Sequence, residues 1–141
     1  ASPVVGKVAP ALVGTTADGQ SFDLDKHRGQ WVLVNFFATW CTPCIAEHPR
    51  LMALKARGVT VIGVAYKDDP AATQAMLDER GDPFSMVLVD RDGQAGLDLG
   101  VSGVPESFSV DAPGRITAKS AGPMMDDREL ERMVNAMTGS R

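Results

Sequence analysis

The two cysteines of this 141-residue chain lie three positions apart, in Trp40-Cys41-Thr42-Pro43-Cys44. Thiols at this spacing at a helix start close a disulfide with little backbone movement and reopen it as easily, which is the chemistry of electron exchange between dithiols. As a structural staple the pair would do little, because so short a loop restricts the unfolded chain by only about 2 kcal/mol. The two sulfurs have different work. Cys41 falls at the first turn of a predicted helix, where free N–H groups and the helix dipole stabilise a thiolate. It is expected to be the better exposed and is the candidate nucleophile. Cys44, one turn inward, is the candidate resolving thiol. Pro43 lies in that first turn, where its missing N–H costs little.

Positioning such a pair takes a rigid strand and a helix, and the pattern supplies both. Residues 31–38 are nearly all apolar or aromatic, as in a central strand buried on both faces. A helix follows over residues 42–57 and stops at Gly58. Inside it Pro49 removes the bond to the Ile45 carbonyl and predicts a kink, with the apolar spacing of Leu51, Met52 and Leu54 arguing against a loop. A second buried strand covers residues 59–66. Asp68-Asp69-Pro70 then caps a helix over residues 70–80.

A short strand (86–90) and a short helix (93–99) come next. Residues 107–110 and 115–120 flank Asp111-Ala112-Pro113-Gly114 and predict a hairpin. The last helix starts at Asp126 or Asp127 and places Leu130, Met133, Val134 and Met137 on one face. Ahead of all this, residues 11–15 and 21–24 around Ala17-Asp18-Gly19-Gln20 predict a small antiparallel hairpin. The order predicts an α/β fold: a central mixed sheet flanked by helices on both faces, with an added N-terminal β-hairpin.

Hydrophobic residues make up 44% of the chain, enough for a core, and no linker or repeat divides residues 1–141, so one domain is expected. A net charge of −4 makes nucleic acid an unsuitable partner. No run of 18 apolar residues and no signal segment is present. The opening Ala1-Ser2-Pro3-Val4-Val5-Gly6 reads as a processed or trimmed start.

A strand feeding Trp-Cys-x-x-Cys at a helix start, Pro49 five residues after Cys44, and Val104-Pro105 before a strand together resemble the thioredoxin fold family. In that family the last motif is a cis-proline loop that packs on the disulfide and binds the substrate backbone, and the resemblance implies this role for Pro105 and its neighbour Val104. The likeness narrows at residues 35–41, 44–49, 64–69 and above all Gly100-Val101-Ser102-Gly103-Val104-Pro105-Glu106, which look like the cytochrome c biogenesis thiol:disulfide interchange proteins (CcmG/DsbE). That resemblance covers nearly the whole chain. It implies a periplasmic reductase, anchored in the inner membrane by an N-terminal segment that this sequence does not include. Its implied partners are oxidised apocytochrome c, or a dithiol protein of that pathway, and a membrane thiol reductase of the DsbD/CcdA type as electron donor. It implies a monomer and no cofactor beyond a redox-active Cys41–Cys44 disulfide.

Three polar residues around the motif bear on proton transfer. Ordinary thioredoxins carry an Asp six residues before the first cysteine; here Asn35 stands there and cannot accept a proton at neutral pH. Glu47 lies three residues past Cys44, on the same helix face, and is the candidate proton relay, the alternative being a solvated helix acid. Glu106 follows Pro105 and is expected at the dithiol rim, the alternative being an ordinary loop acid. Trp40 and Pro105 are expected to form the apolar contact surface beside the nucleophile.

Other chemistries fit poorly. Residue 45 is Ile, not the His of a haem-attachment motif. Cys41, Cys44, His27 and His48 could supply four zinc ligands, but no second close-spaced pair exists. His27 and His48 are expected as a loop residue and a surface or half-buried helix residue. Asp90-Arg91-Asp92-Gly93 lacks the remaining acids of a calcium loop and reads as a turn. The Pro-x-x-x-Thr-x-x-Cys frame of peroxiredoxins is missing. The methionines read as core filler, with Met124-Met125 the pair that could lie exposed. Two further readings stay open: a general extracytoplasmic thioredoxin-like reductase, and a non-catalytic module that holds apocytochrome c in the same groove.

Carboxylates near the thiols oppose thiolate formation, and a poorly stabilised thiolate lowers the reduction potential. The dithiol is therefore expected to reduce rather than oxidise its partners. Titrating the Cys41 thiolate absorbance should give a pKa well above the roughly 3.5 of strongly oxidising dithiols, and a value near that one would contradict the expectation.

Overall fold

The computed structural model describes residues 3–10, 12–16, 19–27 and 29–138, with the side chains of Phe22 and His27 outside the description. Five strands form the main sheet: β3 (Val32–Phe37), β4 (Val61–Tyr66), β5 (Met86–Asp90), β6 (Glu106–Val110) and β7 (Ile116–Ala121), in the order β5-β4-β3-β6-β7. β3, β4 and β5 run parallel, while β6 pairs antiparallel with β3 and β7 with β6. The sheet is mixed, as the sequence predicts. The N-terminal hairpin is β1 (Val13–Thr15) with β2 (Ser21–Asp23), a separate two-stranded sheet that reaches the β5 edge through a bridge from Thr16 to Leu88. Ala11, Ala17 and Asp18 of the predicted hairpin lie outside the described residues.

Strand alternation sorts side chains between two cores, one on each face of the sheet. Along β3, Leu33 and Phe37 face a core filled by α1 (Thr42–Ala56), α2 (Pro70–Arg80) and α4 (Asp127–Thr138), through Leu51 and Leu54, Met76 and Leu77, and Leu130, Met133 and Met137. Val32, Val34 and Phe36 face the other core, closed by Leu12 and Leu24 of the N-terminal segment and by Leu99 beyond α3 (Gln94–Asp98). Asn35 shares the parity of Leu33 and Phe37. A fully buried amide is thus aimed from the middle of the central strand at the helix that carries the cysteines.

Helix ends follow their capping chemistry. The Asp69 carboxylate accepts from the Ala71 N–H at the start of α2, and Asp90 accepts from the Ala95 and Gly96 N–H groups at α3. Asp90-Arg91-Asp92-Gly93 is therefore a turn that caps a helix. Gly58 takes φ +87° just past α1, the left-handed conformation that ends a helix without a Cβ clash. α1 continues through Pro49, which is exposed. Met124 is fully buried and Met125 is 45% exposed, so only one of that pair lies open.

β3 and β4 stay in close contact because Gly63 opposes Asn35 and leaves room for stacked Phe37 and Phe84, whose ring centroids are 4.7 Å apart. A Cβ at Gly63 would come within 2.9 Å of the Phe84 ring and 3.0 Å of Phe37. Gly63→Ala is expected to destabilise the protein by about 1–3 kcal/mol through overpacking. Urea denaturation checks this, and an unchanged midpoint would show that the aromatic pair can yield.

Candidate active site

Cys41 and Cys44 form a disulfide with their Cα atoms 5.3 Å apart. Cys41 is the N-cap of α1, one position before the predicted first turn, because its extended backbone (φ −103°, ψ 106°) lies outside the helix. Its Sγ accepts from the Cys44 N–H at 3.2 Å and lies 3.5 Å from the Val104 carbonyl oxygen. The amide is a donor that would favour a thiolate on Cys41, and the carbonyl is an acceptor for a thiol there. The Val104-Pro105 peptide is cis, with Pro105 buried and Val104 half-buried.

The predicted difference in exposure between the sulfurs is small. Cys41 is 5% and Cys44 3% exposed, because the cysteine pair belongs to the core cluster of Phe37 and Ala38, with the Val104 carbonyl 3.5 Å from Cys41 Sγ. Access to Cys41 comes past an exposed rim, where Trp40 is 59% exposed and Thr42 and Pro43 are also open. Trp40 is held in place: its indole Nε1 donates to the Lys67 carbonyl at 3.2 Å.

Lys67 adopts φ +48°, a left-handed backbone uncommon for a residue with a Cβ, at the turn leaving β4. Next to it the buried Asp68 carboxylate accepts from the Thr39 N–H at 2.6 Å and the Thr39 hydroxyl at 3.0 Å. Together they fasten the residues just before Cys41. Asp68 and Lys67 are positioning residues that the sequence reading missed. In the sequence Asp68 reads as a helix-capping candidate beside Asp69, within the family-like stretch 64–69, and contacts between the ends of neighbouring strands leave no local signal.

A buried polar cluster gathers on the cysteine helix one turn past Cys44. Glu47 is 1% exposed, not solvated, because i+3 spacing places it on the same inward face as Cys44. Its Oε2 accepts from the Met124 N–H at 2.6 Å and its Oε1 from Asn35 Nδ2 at 3.1 Å. Asn35 also donates to Ser107 Oγ at 2.9 Å. Burial pushes the Glu47 carboxyl above its ordinary pKa of 4.5, and the Met124 and Asn35 hydrogen bonds pull it partly back. Ser107 and the Met124 amide were not foreseen, since their partners are 72 and 77 residues away in the chain.

Glu106 does not join this cluster. It is the first residue of β6, one position from Ser107, so alternation turns it to the opposite face of the sheet. There it is buried and accepts from the Ser102 hydroxyl at 3.0 Å and N–H at 3.4 Å, with Lys119 Nζ 3.4 Å away. It braces the loop leading to Pro105, and Lys119 offsets its charge. Adjacency to Pro105 suggests a place at the dithiol rim, but strand alternation from the first residue of β6 overrides it. His48 is buried rather than half-exposed, its Nε2 2.8 Å from the Gly81 carbonyl. Among the described residues, no three His, Cys, Asp or Glu side chains gather as metal ligands; the side chain of His27, one of the four residues weighed for zinc, lies outside the description.

Residues 4–136 match the Redoxin family. Relatives narrow the match. HelX of Rhodobacter capsulatus, a thiol:disulfide interchange protein, is 44% identical over 139 residues, covering 97% of this chain and 79% of its own length. The thiol:disulfide interchange protein DsbE of Escherichia coli K12 is 42% identical over 126 residues, 87% of this chain and 68% of its own. The chain belongs to the Redoxin family, among its thiol:disulfide interchange proteins. Solved structures agree on the thioredoxin-like fold. Mycobacterium tuberculosis dsbF superposes with a TM-score of 0.81 at 30% identity, over 91% of this chain and 96% of its own. A Chlorobium tepidum structure described as a thiol:disulfide interchange protein DsbE also reaches 0.81, at 29% identity, over 96% of this chain and 99% of its own.

The pH sign for Glu47 follows from its burial. A carboxyl whose folded-state pKa is raised stabilises the fold fully below its unfolded value, and that contribution is lost as pH rises through the folded value. Glu47→Gln carries no such loss. The stability of oxidised Glu47→Gln relative to wild type should rise between pH 4 and pH 8 in urea titrations, and a pH-independent difference would contradict the burial of an ionising group.

Proposed function

We propose that this thiol:disulfide oxidoreductase reduces protein disulfides during cytochrome c maturation, acting in the periplasm from an inner-membrane anchor. The convergence of the Cys44 amide and the Val104 carbonyl on Cys41 Sγ carries the chemical part of this reading. One group favours a thiolate there, and the other belongs to the cis-Pro loop that an incoming polypeptide would meet. The DsbE and HelX relatives support the pathway.

Reduced Cys41, as thiolate, attacks one sulfur of a substrate disulfide. A mixed disulfide forms and the other substrate sulfur leaves as a thiolate. Cys44 then gives its proton to Glu47 and attacks Cys41 Sγ, which releases the second substrate thiolate and closes the Cys41–Cys44 disulfide. Two electrons pass from the dithiol to the substrate. A membrane thiol reductase of the DsbD/CcdA type returns them, and the monomer suffices for both half-reactions. Trp40, Val104 and Pro105 receive the substrate chain beside Cys41. Glu106 holds the loop that carries Pro105.

Cys44→Ser removes the displacing thiol and leaves Cys41 able to capture. Cells carrying this variant should accumulate mixed disulfides with apocytochrome c or one dithiol protein of its maturation. A broad mixture of exported proteins would instead mark a general extracytoplasmic reductase. Normal maturation with Cys41→Ala/Cys44→Ala would reduce the role to binding alone.

A further inference from the structure

Both hydrogen bonds that reach Glu47 from Asn35 and Met124 are donated to it, the pattern of an ionised carboxylate. Fully buried Asn35 gives both amide hydrogens away, to Glu47 Oε1 at 3.1 Å and to Ser107 Oγ at 2.9 Å. Its own Oδ1 is buried and accepts no hydrogen bond among the described residues. Glu47 Oε2 is bound to the Met124 N–H at 2.6 Å, a backbone donor that cannot become an acceptor. Oε1 is the oxygen whose partner can turn from donor to acceptor, so a proton taken up by the carboxyl is accommodated there. There it meets the Asn35 NH2, and two donors face each other.

We propose that Asn35 is a positioning residue for the thiol chemistry, its side-chain amide turning half a revolution whenever Glu47 gains or loses a proton. The inference deepens the relay role given to Glu47 above and rests on it. Turning exchanges Oδ1 and Nδ2. The oxygen that had no partner then accepts from Glu47 Oε1–H, and also from the Ser107 hydroxyl, which donates as readily as it accepts. The turned state leaves the amide nitrogen unpaired, which is less tolerated in a protein interior than an unpaired carbonyl. The unpaired nitrogen works against the upward push of burial on the Glu47 carboxyl, so the proton can be handed on, as a relay requires. The proton taken from Cys44 passes on to a departing substrate thiolate.

Nearby charges are engaged elsewhere. Asp127 pairs with Arg50, and Glu129 with Ser120 and Arg132. His48 is turned to the Gly81 carbonyl, and Glu106 lies on the other face beside Lys119. What acts on Glu47 is its burial, the Met124 amide and Asn35.

The oxidised protein tests this with both thiols silent. NMR titration from pH 4 to pH 9 should move the Glu47 carboxyl carbon and the Asn35 side-chain amide together, with one midpoint. In Glu47→Gln the Gln carbonyl takes the Met124 N–H and its amide faces residue 35. The Asn35 resonance should then match low-pH wild type throughout the range. Asn35→Asp sets two carboxyls against each other and should raise the midpoint by about one pH unit or more. An Asn35 amide that stays still while Glu47 titrates, or that matches high-pH wild type in Glu47→Gln, would overturn the proposal. So would an unmoved midpoint in Asn35→Asp. Because the disulfide stays closed, those outcomes leave the reductase reading to the trapping experiment.

Discussion

A carboxylate held in the core is the constraint around which this molecule is arranged. Glu47 is buried on the cysteine helix and bonded from two other elements, the central strand through Asn35 and the segment before α4 through the Met124 amide. Burying such a group is costly unless its oxygens find donors. The need explains several otherwise separate features: an amide in the middle of an apolar strand, a serine opposite it on β6, and a fully buried Met124 next to an exposed Met125.

Above the carboxylate, the loops around Cys41 are fastened from the strand ends. Asp68 holds Thr39, the Lys67 carbonyl holds the Trp40 indole, and Glu106 with Ser102 braces the approach to Pro105. The Gly122 N–H donates to the Pro105 carbonyl at 2.9 Å, tying the segment that carries Met124 to the same loop. Rigid supports of this kind keep a reacting sulfur aligned between two displacement steps, when a shift of an ångström would be costly. The exposed rim can then vary its partner without disturbing the sulfur chemistry below.

Much of this was legible in the residues. Strong local signals carried the elements: the apolar run of β3, the Asp69-Pro70 cap, Gly58 as a helix stop, and the amphipathic α4. The dithiol and Glu47 were readable because they share one helix, where spacing alone fixes which side chains align. Asp68 and Ser107 act across the sheet, and no spacing rule reaches them. Glu106 was misplaced by one strand residue, enough to reverse its face. A helix start suggests an open Cys41, but the cis-Pro loop lies against its sulfur and leaves it 5% exposed.

Proton transfer from Cys44 to Glu47 is tested most directly by the rate of the second displacement. Stopped-flow measurement of release from a mixed disulfide on Cys41, across pH 5 to 9, compares wild type with Glu47→Gln. The variant should be slower near neutral pH by about 10²-fold, with the gap closing at high pH, where Cys44 ionises unaided. Superimposable pH–rate profiles would contradict it.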